Sequence, residues 1–227
     1  MEQHEAHTVY EHPIPAVIMH WFHLVTFLVL AFTGLVIHFQ PIGWPMSTII
    51  NLHFLCMFIF VATAITRIYW AFMGMGSADL GEEKIRRDYK HFAINRKWAH
   101  DFWPYAKYYL FISKTRPKTA KYNPLQALTY GYLFPLLILC MALTGFSLYA
   151  PLAGYFGWVI TALGGLNQVR LVHFLLCCVM LAVFLIHLYL VVMEDPVQVY
   201  SMLFHIMPEK YLPAFVRERA KAAQTAG

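Results

Sequence analysis

The chain has 227 residues, of which 59% are hydrophobic and 17% aromatic, while only 13% carry a charged side chain. This composition excludes an ordinary water-soluble domain and makes the lipid bilayer the expected solvent. The formal net charge of +5 does not indicate a nucleic-acid partner, because the basic residues form no groove-reading motif. They are instead concentrated in particular segments outside the apolar stretches.

Four apolar stretches each exceed the roughly 18 residues that indicate a membrane-spanning α-helix. They are named spans 1 to 4 and lie at residues 16–39, 49–73, 126–149 and 170–193. We predict an all-α membrane protein in which residues 1–227 form one four-helix bundle domain. Span 1 is not expected to be a cleaved signal peptide, because no Lys or Arg precedes it and it is too long for such a segment.

The basic residues are concentrated in the loop at 74–125 and the tail at 194–227, whereas the connections between spans 1 and 2 and between spans 3 and 4 contain none. The positive-inside rule therefore places both termini and the long loop in the cytoplasm. The basic residues concerned are Lys84, Arg86, Arg87, Lys90, Arg96, Lys97, Lys107, Lys114, Arg116, Lys118 and Lys121 in the loop, and Lys210, Arg217, Arg219 and Lys221 in the tail.

Histidines inside the spans are the first candidates for chemistry, because ionisable side chains in a bilayer are costly and usually functional. His20 and His23 lie in span 1, His53 in span 2, and His173 and His187 in span 4. A single intramembrane histidine is more often a hydrogen-bonded packing residue than a metal ligand. The arrangement of these histidines as a set must therefore distinguish metal ligands from packing residues.

The histidines match in pairs at two depths of the membrane. His173 and His187 return to within about 40° of the same helix face and are separated by a rise of roughly 21 Å. Chain direction puts His53 level with His173 near the outer surface, and His20 or His23 level with His187 nearer the cytoplasm. Facing neutral imidazoles are the axial ligands of low-spin haem iron. The sequence therefore predicts an outer and an inner haem b.

The four cysteines are expected to be packing residues within the spans. No C-x-x-C-H motif and no iron–sulfur spacing occurs among them, so the haems should be bound noncovalently and iron–sulfur chemistry should belong to another subunit. The cysteines are Cys56, Cys140, Cys177 and Cys178.

A Thr-Gly pair occurs in the outer half of two spans, as Thr33-Gly34 in span 1 and Thr144-Gly145 in span 3. The missing Cβ of each glycine would let a porphyrin face approach the backbone. Close packing between helices through small residues is an equally good explanation.

Charged residues are sparse in the spans. Arg67 and Arg170 lie at span ends, where they are candidates for pairing with haem propionates, although snorkelling to the interface is the simpler explanation. No acidic residue lies in any span, which disfavours the competing class of metal or proton transporters. A passive membrane anchor is a third class, and it would leave the paired histidines without a purpose.

Two connections are rich in aromatic residues. The segment at 97–114 interleaves aromatic side chains with Lys97, Lys107 and Lys114, which predicts an interfacial helix in the cytoplasmic loop. The outer connection at 152–166 is apolar and uncharged, which predicts a surface buried against the membrane or a partner subunit.

The order and spacing of these motifs resemble the di-haem cytochrome b subunits of membrane-bound nickel–iron hydrogenases, which are related to the gamma subunit of respiratory formate dehydrogenase. The resemblance covers about residues 12–196. Its motifs are His20-Trp21, Thr33-Gly34, His53, Arg67 to Phe72, Tyr108 to Phe111, Asn123-Pro124, Gly131-Tyr132, Thr144 to Phe146, His173, His187 and Glu194-Asp195.

The resemblance implies that His20 rather than His23 is the inner ligand, because it has the family's spacing from the Thr-Gly pair. It also implies a hydrogenase small iron–sulfur subunit as the partner, which links this chain to the large nickel–iron subunit. Electrons would enter at the outer haem and reach quinone from the inner one, in the bacterial inner membrane, with no hydrogen-activating site in this chain. The alternative is the equivalent subunit of a formate dehydrogenase or another respiratory oxidoreductase.

A quinone site is implied by the related formate dehydrogenase subunit, which has a K-Y-N-x-x-Q segment before its third span. This chain reads Lys121 to Gln126 there, which makes Asn123 and Gln126 the quinone candidates, with menaquinone or ubiquinone as acceptor. Leu125 departs from the Gly of the relative. Asn123 before Pro124 is also an obvious helix N-cap, so a purely structural turn is the alternative.

The charge distribution gives a first prediction, on topology. Reporter domains fused after Gly227 and inserted near Arg87 should be active only when the reporter functions in the cytoplasm, because the basic residues keep both segments inside. Alkaline phosphatase and green fluorescent protein fusions at each site provide the measurement. An active periplasmic reporter at either site contradicts the predicted orientation.

Overall fold

The computed structural model describes residues 14–74, 77–78, 85–115, 117, 122–194, 199 and 202–203. Several residues used in the sequence predictions lie outside this described part. They are Lys84, Arg116, Lys118 and Lys121 of the loop, and Asp195 with the four basic residues of the tail.

The described residues are mainly helical. The helices are α1 (Ile14–Phe39), α2 (Met46–Met73), α3 (Asp88–His91), α4 (Arg96–Tyr109), α5 (Pro124–Leu128), α6 (Phe134–Leu148), α7 (Ala150–Ala153), α8 (Gly157–Leu163) and α9 (Leu166–Glu194). A π-helical turn at Thr129–Leu133 joins α5 to α6. Two short strands, β1 (Ser77–Ala78) and β2 (Ile85–Arg86), pair antiparallel with Ser77 opposite Arg86.

The four predicted spans are confirmed as helices long and apolar enough to cross a membrane. Span 1 is α1, span 2 is α2, span 3 is the continuous Pro124–Leu148 segment, and span 4 is α9. Each helix begins two to four residues before the predicted start. The added residues include polar ones such as Ser47 and Asn167, which an apolar pattern omits but which extend the helix and keep backbone groups hydrogen-bonded.

The chain divides into two compact units. The bundle unit comprises residues Ile18–Arg67 and Phe134–Tyr189, and therefore contains most of all four spans. The loop unit comprises Met1–Val17, Ile68–Leu133 and Leu190–Gly227. All five span histidines fall within the bundle unit.

The bundle unit has a small apolar core to which every span contributes. Phe60, Leu137 and Met180 are buried together, and Phe27 of span 1 packs against them. Only 6% of the most apolar window of span 4, and 22% of that of each other span, is buried. The remaining apolar surface requires lipid or another protein against it, which agrees with a multi-pass membrane protein.

The loop unit contains the helix that the aromatic pattern predicted, as α4. The helix begins after Asn95, whose side chain accepts a hydrogen bond from the Trp98 amide at 2.9 Å, as an N-cap does. The indole Nε1 of Trp98 donates to the carbonyl oxygen of Pro124 at 2.9 Å, which ties α4 to the first turn of span 3. The position of α4 at a membrane surface stays a prediction.

The π-helical turn of span 3 packs against the segment before α4. A Cβ built on Gly131 would lie 2.7 Å from the Cβ of Phe92, so only glycine fits there without a shift. The Tyr132 hydroxyl donates to the Phe92 carbonyl at 3.2 Å. The Gly131-Tyr132 motif therefore fixes the start of span 3 against this segment.

Candidate haem-binding sites

The structure brings the histidines of the bundle unit together in the pairs that their depths predict. His53 and His173 are close enough for a charge on one to be felt at the other, and the same holds for His20 and His187. All four side chains are half-buried. They are named the outer pair (His53 and His173) and the inner pair (His20 and His187).

Within the outer pair, His53 of span 2 is hydrogen-bonded to Thr33 of span 1. The Thr33 Oγ1 lies 2.8 Å from the His53 Nδ1, and the same hydroxyl donates to the Val29 carbonyl at 2.7 Å. With its one hydrogen directed at the Val29 carbonyl, the Thr33 oxygen is left to accept from the Nδ1–H of His53. The Leu30 carbonyl is a second acceptor for this ring. His53 therefore presents an unprotonated Nε2.

His173 of span 4 is held in the same way by Thr144 of span 3. The Thr144 Oγ1 lies 2.8 Å from the His173 Nδ1 and donates its own hydrogen to the Cys140 carbonyl at 2.8 Å. His173 is thus also fixed in the tautomer that leaves Nε2 available to a metal. Hydrogen bonding of the distal ring nitrogen is how proteins usually orient histidine ligands.

The glycine after each threonine lies against the same imidazole. A Cβ built on Gly34 would lie 3.4 Å from the His53 Cε1, and one built on Gly145 would lie 3.4 Å from the His173 Cε1. The two Thr-Gly pairs therefore contact their histidines in the same way. In each, the threonine hydroxyl is hydrogen-bonded to the Nδ1 of the imidazole, and the glycine lies against the Cε1 edge of the same ring. The sequence pointed to these dipeptides, but it did not identify the histidine as the group they contact.

His20 of the inner pair differs from the two outer ligands. The His20 Nδ1 is buried and has no hydrogen-bond partner within the described part of the chain. His23 instead bonds the Met19 carbonyl at 2.8 Å and lays its ring edge-on against Phe60 at 5.1 Å. His187 interacts electrostatically with His20, which favours His20 as its opposing ligand and His23 as a packing residue.

The two arginine candidates lie in different surroundings. Arg67 is half-buried and acts electrostatically on both His20 and His23, so it lies near the inner pair. Arg170 is exposed and donates to Asn167 one turn earlier at 3.4 Å. Arg67 therefore fits a propionate partner better than Arg170 does, and both roles stay predictions.

His38 has a structural contact that accounts for its position. Its ring stacks on Phe174 with centroids 3.9 Å apart and planes 8° apart. The stack joins span 1 to span 4 beside His173. His38 belongs to neither pair.

Asn123 and Gln126 form a capping box in the loop unit. Asn123 is fully buried and accepts from the Gln126 amide at 2.9 Å, while the Gln126 Oε1 accepts from the Asn123 amide at 3.0 Å. The Asn123 Nδ2 also donates to the Tyr109 hydroxyl at 3.1 Å. The capping alternative is thus present in the structure, and the side-chain oxygens of both residues serve it.

The residues of the two pairs fit haem. Across the described ranges no group of three or more His, Cys, Asp or Glu could hold a metal ion alone, whereas haem needs only two axial protein ligands. The fixed Nε2 atoms of the outer pair and the apolar surroundings of both pairs suit a porphyrin. A bundle of four membrane spans with histidines paired in this way has the architecture of a membrane cytochrome b.

Comparison with known proteins agrees with this architecture. The chain belongs to the prokaryotic cytochrome b561 family, whose model matches residues 11–205, and this family implies haem b. The family resemblance seen in the sequence is confirmed.

Three similar relatives carry related names. The probable Ni/Fe-hydrogenase B-type cytochrome subunit of Azotobacter vinelandii is 29% identical over 211 residues, 86% of this chain and 85% of the relative. The protein of that name from Rhizobium leguminosarum bv. viciae is 29% identical, covering 84% and 83%. The probable Ni/Fe-hydrogenase 1 B-type cytochrome subunit of Escherichia coli K12 is 28% identical, covering 66% and 63%.

A second prediction concerns the ligands. His53→Ala and His173→Ala should each halve the haem content, as should His20→Ala and His187→Ala, because each removes one of two axial nitrogens. His23→Ala is the matched control on the same helix and should keep both haems. Pyridine haemochrome assay and reduced-minus-oxidised spectra give the measurement. Two bis-histidine haems in His20→Ala, with one lost in His23→Ala, would reverse the inner assignment.

Proposed function

We propose that this chain is the di-haem electron-transfer subunit of a membrane-bound nickel–iron hydrogenase and carries electrons from its iron–sulfur subunit to quinone. The observation that carries this proposal is the presence of two histidine pairs in one bundle unit, in a chain whose relatives are named as hydrogenase cytochrome subunits. When bound, haem supplies a one-electron ferric/ferrous couple at each pair.

The residues of the chain hold and orient the two haems. At the outer pair, the threonine hydroxyls keep both Nε2 atoms unprotonated and fix the ring orientations. At the inner pair, Arg67 supplies a positive charge near His20. The apolar core around Phe60 excludes water from the middle of the bundle unit.

The outer surface of the bundle unit offers a docking surface for the iron–sulfur subunit. In the connection between spans 3 and 4, Tyr155 is 80% and Trp158 is 60% exposed, and in that between spans 1 and 2 Ile42 is fully exposed. Exposed apolar side chains of this size suit a partner or its membrane anchor. A partner there would bring its cluster close to the outer pair.

Quinone reduction is proposed for the cytoplasmic side, where the basic loop precedes span 3. Of the two candidates, Gln126 is the better placed to bind quinone. It is half-buried, and its Nε2 amide is not used in the capping box. Asn123 is fully buried and its amide already donates to Tyr109. An amide donor suits a quinone carbonyl oxygen.

The third prediction tests the electron donor. The native complex, solubilised gently and isolated through this subunit, should show haem reduction by hydrogen and none by formate, because the partner is a hydrogenase. Visible spectra under each donor give the measurement. A His173→Ala complex is the control: it should lack the outer haem and should therefore lose hydrogen-driven reduction of the inner haem. Reduction by formate alone would assign the subunit to a formate dehydrogenase.

The fourth prediction separates capping from quinone binding. Gln126→Glu keeps a side-chain oxygen for the Asn123 amide but removes the amide donor, so it should slow reoxidation of reduced haem by quinone about tenfold. Asn123→Asp keeps the cap oxygen and is the matched control, with reoxidation close to wild type. Stopped-flow absorbance with a soluble quinone gives the rates. Equal rates in wild type and Gln126→Glu would contradict a quinone role for Gln126.

A further inference from the structure

His20 of the inner pair is held differently from the two outer ligands, and the difference lies in what the Nδ1 atom of the ring contacts. Both outer rings donate Nδ1–H to a threonine hydroxyl at 2.8 Å, whereas the Nδ1 of His20 in the inner pair is buried and finds no partner among the residues the structure describes. The fold therefore supplies hydrogen-bond acceptors to one site that it does not supply to His20.

The threonine hydroxyls are strong acceptors because of their own bonds. Thr33 is fully buried and Thr144 is 3% exposed, and each donates its hydrogen to the carbonyl one turn back on its helix. Donation to a carbonyl polarises the hydroxyl oxygen and strengthens the bond it accepts, more so in surroundings of low dielectric.

A hydrogen bond from Nδ1–H moves electron density toward Nε2, which makes the imidazole a stronger donor to iron. A stronger donor stabilises ferric iron relative to ferrous iron and lowers the reduction potential, since hydrogen bonding near the metal is one of the protein's means of tuning it. Arg67 acts at the other site, where its positive charge near His20 favours the reduced state. Both effects act to make the reduction potential of the outer haem lower than that of the inner haem.

We infer that Thr33 and Thr144 are positioning residues that fix the outer ligands toward iron and hold the potential of the outer haem below that of the inner haem. With haem held by His53 and His173 and by His20 and His187, one electron would pass downhill from the outer to the inner site, the outer haem being oxidised as the inner one is reduced, with no proton transferred. The donor is the reduced iron–sulfur partner and the acceptor is quinone. The inference rests on the proposed di-haem function.

The fifth prediction replaces each hydroxyl by a methyl group of the same shape. In purified full-length protein, Thr144→Val should keep two haems and raise the midpoint potential of one, shifting its reduction equilibrium about threefold to tenfold. Thr33→Val should raise the same potential by less, because the Leu30 carbonyl remains an acceptor for His53. Thr33→Ser and Thr144→Ser keep the hydroxyl and should therefore have wild-type potentials. Potentiometry followed by visible and electron paramagnetic resonance spectra gives the measurement.

Thr26→Val is the matched control. Thr26 is 6% exposed and lies in span 1 like Thr33, but among the described residues its hydroxyl bonds only the Phe22 and His23 carbonyls of its own helix. Both potentials should stay at wild-type values in this variant. A shift as large as that of Thr144→Val would show that any buried threonine affects the haems, and would overturn the inference.

The other possible results of these substitutions also support or contradict the inference. Unchanged or lowered potentials in Thr144→Val with both haems present would overturn the inference and leave the di-haem function intact. Haem loss in the Val variants with retention in the Ser variants supports the positioning role. Haem loss in both series would contradict it, because any substitution at these positions would then displace haem whether or not the hydroxyl is kept. Absence of two bis-histidine haems from the wild-type protein would instead refute the proposed function.

Discussion

An imidazole buried in hydrocarbon has two ring nitrogens, and each one left without a partner costs about 1–3 kcal/mol. The outer pair meets this constraint with one nitrogen on a threonine hydroxyl, which leaves the other for a metal. The register of all four spans depends on it, since Thr33 faces His53 across spans 1 and 2 and Thr144 faces His173 across spans 3 and 4. A shift of one residue would turn a helix face by about 100° and separate hydroxyl from ring.

The depth of the histidines could be predicted from sequence because helix rise and periodicity fix it without knowledge of packing. The hydrogen-bond partners could not be predicted in this way. Whether the hydroxyl of Thr144 meets a ring, a porphyrin or lipid depends on how spans 3 and 4 rotate against each other. The sequence marked the Thr-Gly dipeptides as special for the space their glycines leave, and the structure gives that space to the ring edges of His53 and His173.

The same limit applies to His20 and His23, which lie one turn apart and share a face. Spacing alone left both open as inner ligands, and the family resemblance chose His20. The contacts of His23 with Met19 and Phe60 now give a physical reason for that choice. At Asn123 the sequence offered a cap and a quinone ligand as alternatives, and the local rule for caps was sufficient to predict the contacts found.

The π-helical turn at Thr129–Leu133 adds one residue to span 3 compared with a regular α-helix, and it lies between the capping box and the Thr-Gly pair. Such a turn can accommodate a change of one residue in the length of span 3. Loss of one residue here would convert it to α-helical hydrogen bonding, so that Pro124–Leu128 and Phe134–Leu148 each keep their own neighbours. A deletion of one residue within this turn is therefore expected to leave the contact of Thr144 with His173 in place.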